Sequence, residues 1–161
     1  ADTPRLTRAP YSVSYPFMLL LNPNDYGHDF PDECTKDLVR RTIAFFEAKG
    51  KRRLKEDDRA RVWYADFLDF ARGERLFATF LTPAGYGAAG NGAADARWDT
   101  WRNAALAEVM AFYGLQYWYT WQVSVLGLGP IWMSRNETAK RKAARLLDDG
   151  EVFAFGLSIS M

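Results

Sequence analysis

Gln116, Thr120 and Ser124 stand four residues apart inside "LQYWYTWQVSVLG", a stretch that is otherwise almost wholly apolar. On a helix that spacing stacks all three side chains on one face. Two readings follow. Ser and Thr hydroxyls readily bond the carbonyl four residues back along their own helix. Alternatively the row lines a ligand cavity, because polar groups taken out of water need partners.

The remaining reactive residue types are sparse. His28 is the sole histidine, which leaves no material for a Ser-His-Asp triad or a histidine-based metal site. It reads as a loop residue. Cys34, the sole cysteine, sits near an expected helix start, where a thiolate is favoured, but no second cysteine accompanies it and a plain thiol is expected. No Gly-x-Ser-x-Gly elbow is present. The loop "AGYGAAGNG" lacks the Lys-Ser/Thr ending of a phosphate-binding loop, and no strand precedes it. Asp57-Asp58 and Asp148-Asp149 lack metal-binding spacing and are expected to cap or solvate helix edges. "KGKRRLK" is followed directly by "EDD", which cancels its field. Asn136-Glu-Thr matches a glycosylation acceptor but opens a helix.

Composition narrows the class further. A net charge of +1 gives no electrostatic case for nucleic acid or an anionic membrane surface as the main partner. The longest apolar stretch, at 115–132, is broken by polar residues, Gly and Pro, so no membrane span is expected. One cysteine and no secretion signal point to a cytoplasmic protein. The chain opens on Ala1 rather than Met, as expected of a piece or a processed product. At 16% aromatic, the core or a cavity wall must be bulky.

The elements that would position these residues read as helices. Residues 1–30, with Pro4, Pro10, Pro16 and Pro23, form an irregular arm carrying an apolar run at 17–21. A first helix starts near "DFPDE", with Asp29 or a neighbour as cap, and buries Leu38, Val39, Thr42, Phe45 and Phe46 until Gly50 ends it. A charged link at 49–59 leads to a helix over about 57–81, interrupted at Gly73, with Trp63, Phe67, Phe70 and Phe77 inward. A glycine-rich loop at 81–95 follows. Trp98, Trp101, Ala105, Val109 and Phe112 then mark an inward stripe. After Gly114 comes the apolar helix, expected at the centre because it is apolar nearly all round. "LGLGPIWM" turns the chain into an amphipathic helix with Ser134 and Glu137 as a capping box and Gly150 as stop. "EVFAFGLSISM", at 151–161, reads as the opening of a β-strand. The fold class is all-α: a bundle of about five or six helices over 31–150, an irregular N-terminal arm and a short C-terminal strand.

"SVLGLGPIWMSRNETAKRKAARLLDDGEVFAFGLS" resembles the end of the N-terminal helical domain of the acyl-CoA dehydrogenase family. There a central helix closes in a small-residue turn with Pro-Ile, matched by "LGLGPI". A surface helix of the "GNEEQKKRYL" kind follows, matched by "SRNETAKRKAARLL". An acidic turn then enters the first strand of a β-domain, matched by "DDGEVFAFGLS". "WYADFLDFARGERLFATFLTPAGYG" resembles an upstream segment of some bacterial members, so the likeness spans roughly residues 30–158.

The resemblance implies an FAD-dependent enzyme that desaturates an acyl-CoA thioester and passes electrons to an electron-transfer acceptor. It implies that Phe155, Leu157 and Ser158, in the aromatic, Val and Thr places of that strand, meet the flavin, and that Thr120 and Ser124 face the acyl substrate. Ile159 departs from the Glu expected there, and the family's catalytic base lies in a domain this sequence does not include. Residues 151–161 would begin a β-domain, which would pair with the remaining enzyme domains or with another copy. The alternative is a small helical binding or dimerisation module without catalysis.

Overall fold

The computed structural model describes residues 22, 32–86 and 98–156. Seven helices occupy them: α1 (Glu33–Lys49), α2 (Lys51–Ala60), α3 (Ala65–Gly73), α4 (Leu76–Leu81), α5 (Thr100–Tyr113), α6 (Leu115–Met133) and α7 (Glu137–Asp148). The all-α expectation holds. The arm at 1–30 lies outside the described residues apart from Asn22.

α1 begins where Asp32 accepts a 2.8 Å hydrogen bond from the Thr35 amide, the neighbour of Asp29 acting as cap. Gly50 ends it, at φ 77° and ψ 147°, a region essentially reserved for glycine. The next residue already starts α2, since Leu54 N–H donates to the Gly50 carbonyl at 3.0 Å. The expected charged link is therefore a helix. Lys, Arg and Glu are good helix formers, Arg53 pairs with Asp57 four residues on at 2.8 Å, and Leu54 is buried beneath them.

Two arginines in the left-handed region, Arg61 at φ 52° and Arg75 at φ 55°, punctuate the next stretch. Arg61 ends α2, and Arg75 separates α3 from α4, so the break falls after Gly73 rather than at it. Trp63 consequently lies between helices. It is exposed and stacks on Tyr64 at 4.4 Å instead of entering the core, while Phe67 and Phe77 are buried and Phe70 partly so.

On α5 the buried residues are Arg102, Asn103, Leu106, Val109, Met110 and Tyr113. Trp101 faces out. The displaced register has one cause: Arg102 takes the inward place, at 1% exposure. Its guanidinium donates to the Thr35 hydroxyl, lies 3.8 Å from the Asp32 carboxylate and sits 5.2 Å from the Phe80 ring centroid. The start of α5 is thereby tied to the start of α1.

Around these ties the aromatic residues stack in series. Phe46 packs against Tyr113 at 4.6 Å and Phe67 at 5.6 Å, Phe67 against Tyr117 at 5.1 Å, and Trp121 against Phe77 at 5.3 Å. Such pairs add roughly 0.5–1.5 kcal/mol each beyond the area they bury.

α6 differs from expectation in two ways. "LGLGPIWM" does not turn the chain; the helix runs through Pro130 to Met133. A helix-interior proline removes one main-chain bond and crowds the carbonyl four residues back; Gly129, having no Cβ, spares the contact with the residue directly before the ring. Nor is α6 buried all round. Its inward face is Tyr117, Thr120, Trp121, Ser124 and Leu128.

Asn136, not Ser134, caps α7, accepting from the Ala139 amide at 3.0 Å; Ser134 instead donates to the Ile131 carbonyl at 2.8 Å. Gly150, at φ 81°, stops α7, and a Cβ there would lie 2.3 Å from the Arg72 side chain. The expected strand is absent over residues 151–156, and residues 157–161 lie outside the described ones. A strand needs a ladder partner for its main chain, and here part of that main chain bonds a side chain of α6 instead.

Replacing Arg102 by Ala removes a buried cation from Asp32 and Thr35 and empties its site. The expected loss is about 3 kcal/mol of unfolding free energy, measured by urea denaturation.

Candidate functional site

Ser124, fully buried, joins α6 to the segment that leaves α7. Its Oγ lies 3.0 Å from the Thr120 carbonyl, 2.9 Å from the Phe153 carbonyl and 3.3 Å from the Phe153 amide nitrogen. A hydroxyl has one proton and two lone pairs. Ser124 therefore donates to one of the two carbonyls at a time while accepting from the Phe153 N–H. One turn later Gly127 lets the chain approach closely: a Cβ there would lie 2.8 Å from the Ala154 carbonyl oxygen. Ser124 and Gly127 together hold residues 153–154 against α6 and leave Phe155 half-exposed beyond it.

Thr120 anchors the other side. Its Oγ1 lies 2.7 Å from the Tyr64 hydroxyl and 3.0 Å from the Gln116 carbonyl. Back-bonding and a partner across the fold thus coexist at both hydroxyls, and neither borders the main cleft. Gln116, the third member of the row, does.

Next to Tyr64 lies an ionic junction. Lys49 reaches Asp66 at 2.7 Å and Asp57 at 3.0 Å, and Arg53 reaches Asp57 at 2.8 Å. Burial opposes the charge on Lys49, but the hydrogen bonds to Asp66 and Asp57 outweigh it and raise its pKa above 10.5. The Lys49 hydrogen bond holds the Asp57 carboxyl below its ordinary 3.8. Burial, then the bond to Glu47 at 2.7 Å, pushes the Tyr113 phenol up and keeps it neutral. Asp57 is thus a buried partner rather than an exposed helix-edge acid. The signal was in the sequence: Lys49, Arg53 and Asp57 recur four apart.

A cleft of about 380 Å³ opens between α2 and the corner joining α5 to α6. Leu54, Phe112 and Leu115 supply apolar wall; Lys51, Lys55 and Asp58 stand along it from one face of α2. Lys51 Nζ is 5.9 Å from the Phe112 ring centroid. Sequence reading missed this cleft because Lys51 and Lys55 were placed on a solvated link.

The outer face of α6 is the other unusual surface. At about 100° per residue, Leu115, Tyr119, Leu126 and Met133 fall within roughly 40° of each other, opposite Ser124. They are 69%, 59%, 46% and 88% exposed, and no charged residue occurs between 115 and 133. Gln122 stands on the same face between Tyr119 and Leu126, so the surface is uncharged and mainly apolar; exposed apolar surface of this kind marks contact sites.

The remaining candidates carry less. Cys34 is half-buried on α1, and His28, Leu157 and Ser158 lie outside the described residues. Of the glycine loop, only residues 84–86 are described; Tyr86 donates to Glu137 at 2.7 Å. Among the described residues no cluster could hold a metal ion, and no helix is long and apolar enough to cross a membrane.

Ser124→Ala removes only the hydroxyl and deprives the Phe153 N–H of its acceptor. Amide exchange at Phe153 should accelerate about 5- to 30-fold, the equivalent of roughly 1–2 kcal/mol, with little change in α5. The ionic junction predicts a pH profile. Lys49, raised, stabilises the fold below pH 10.5 and loses that contribution as pH climbs through its folded pKa. Asp57, lowered, stabilises above pH 3.8 and loses it as pH falls through its folded value. The stability difference between the native chain and Lys49→Met should therefore stay flat across neutral pH and shrink at both extremes in denaturant titrations.

Comparison of the chain with protein-family models, with curated proteins and with solved structures yields no match.

Proposed function

We propose that this chain is the N-terminal helical part of an FAD-dependent acyl-CoA dehydrogenase, contributing walls to the flavin and acyl site and inert alone. The uncharged outer face of α6 carries the reading. Hydride transfer to a flavin needs a dry site that keeps reactive species from water. Leu115, Tyr119, Leu126 and Met133 form an apolar surface that the remaining domains of such an enzyme would cover. The bound flavin would supply the two-electron oxidation; the base that removes the substrate proton belongs to a part outside this sequence.

The segment at 151–156 supports the reading in a second way. It leaves α7 without regular structure and passes α6 at Ser124 and Gly127, so that half of Phe155 is exposed to meet another body. In this reading Phe155, Leu157 and Ser158 approach the flavin. Thr120 and Ser124 contribute to the acyl wall through what they position, because each hydroxyl already has intramolecular partners. Electrons leave for an electron-transfer acceptor of the whole enzyme.

The test is made on the native protein from its source. A parent much heavier than 18.4 kDa, yellow, and bleached by an acyl-CoA in the absence of acceptor, is expected. The isolated chain should be colourless and reduce no acceptor. A native, flavin-free protein of 18.4 kDa that self-associates, and dissociates on Leu126→Lys/Met133→Lys, would replace the reading with a dimerisation module.

A further inference from the structure

We propose that the cleft between α2 and the α5–α6 corner binds a small amphipathic monoanion. Its apolar body would lie against Leu54, Phe112 and Leu115, and its carboxylate at Lys51 and Lys55. Of the α6 outer face named for the dehydrogenase reading only Leu115 borders this cleft, and Thr120, Ser124 and Phe155 do not, so the two readings are tested separately.

Size and wall chemistry come first. At about 380 Å³ the cleft falls within the range of small-molecule sites, which pair apolar walls with a few placed polar groups. Charge decides the class of ligand. α2 and its approach carry six cations, at 49, 51, 52, 53, 55 and 59. Three of them are engaged with acids: Lys49 and Arg53 hold Asp57, Lys49 also holds Asp66, and Arg52 lies 3.8 Å from Glu56. Lys51 and Lys55, one turn apart on the cleft face, have no ion-pair partner among the described residues. Asp58 lines the same cleft without an ion pair, which leaves two ammonium groups against one carboxylate, an excess of one positive charge.

A ligand with one negative charge matches that excess. A neutral apolar molecule would fill the walls and leave both ammonium groups unanswered. An inorganic anion would answer them and leave Phe112 and Leu115 wet. The Lys51 ammonium already lies 5.9 Å from the Phe112 ring centroid, so charge and apolar wall stand side by side in the cleft.

Octanoate serves as the probe, with 1-octanol and inorganic phosphate as controls, followed by amide chemical-shift mapping on the full chain. Octanoate is expected to shift the amides of Leu54, Phe112 and Leu115 saturably. Lys51→Gln/Lys55→Gln should weaken its binding about 3- to 10-fold, as two exposed charge contacts imply, and leave octanol binding unchanged. Phosphate alone should give no saturable shift there. Added salt should weaken octanoate and not octanol in the native chain, a readout that needs no variant. Octanol binding as tightly as octanoate, shifts centred on Tyr119, Leu126 and Met133 instead of the cleft, or no saturable shift at all would each overturn the proposal.

Discussion

A helix of nineteen residues without a charge can turn almost any face inward at similar hydrophobic gain, so burial alone does not set the rotation of α6. Its hydroxyls do. Thr120 and Ser124 lie on one side, and that side is the one offering partners: the Tyr64 hydroxyl for Thr120, the Phe153 backbone for Ser124. With any other rotation these groups would face apolar neighbours or water, and Tyr117, Trp121 and Leu128 would leave the core with them. Back-bonding to Gln116 and Thr120 keeps each hydroxyl satisfied within its own helix. The cross-fold contacts then add direction to a helix whose apolar residues supply almost none.

The same logic recurs at the other helix joints. Arg102 takes the inward face of α5 in place of Trp101, because Thr35, Asp32 and Phe80 together accommodate its guanidinium, while Trp98 just before the helix still packs against the core. Lys49 gathers Asp57 and Asp66 from α2 and α3 beside Tyr117 of α6. Arg102, Lys49, Thr120 and Ser124 each fix a relation between elements that the aromatic stack would tolerate in several forms. Aromatic contact supplies cohesion; buried polar contact supplies register.

Much of the helical outline was legible in the residues. A helix start within "DFPDE", the end at Gly50, the stripe from Leu38 to Phe46 and the stop at Gly150 follow from local chemistry that acts within one turn, although the cap is Asp32 and not Asp29. What was not legible depended on distant partners. Trp101 and Trp63 read as core by periodicity, but Arg102 and the left-handed Arg61 displaced them. Pro130 read as a turn, yet the packing of α6 carries the helix past it. The apolar pattern of α6 could report its greasiness but not that half of it stays uncovered. The four-residue row did point to Thr120 and Ser124 as special. It could not say that Ser124 would hold another part of the chain, since that partner lies 29 residues on.

Gly50 gives the α1–α2 corner a property of its own. A single residue closes one helix and opens the next, with backbone angles that side-chain-bearing residues rarely reach. Such a joint has no slack to absorb change. Adding one residue there would turn every position of α2 by about 100°, carrying Leu54 and Asp57 outward and scrambling both the ionic junction and the cleft wall at once. The corner therefore behaves as a mechanical key: exposed positions along α2 can vary one at a time, but a change of chain length here moves Leu54 and Asp57 together.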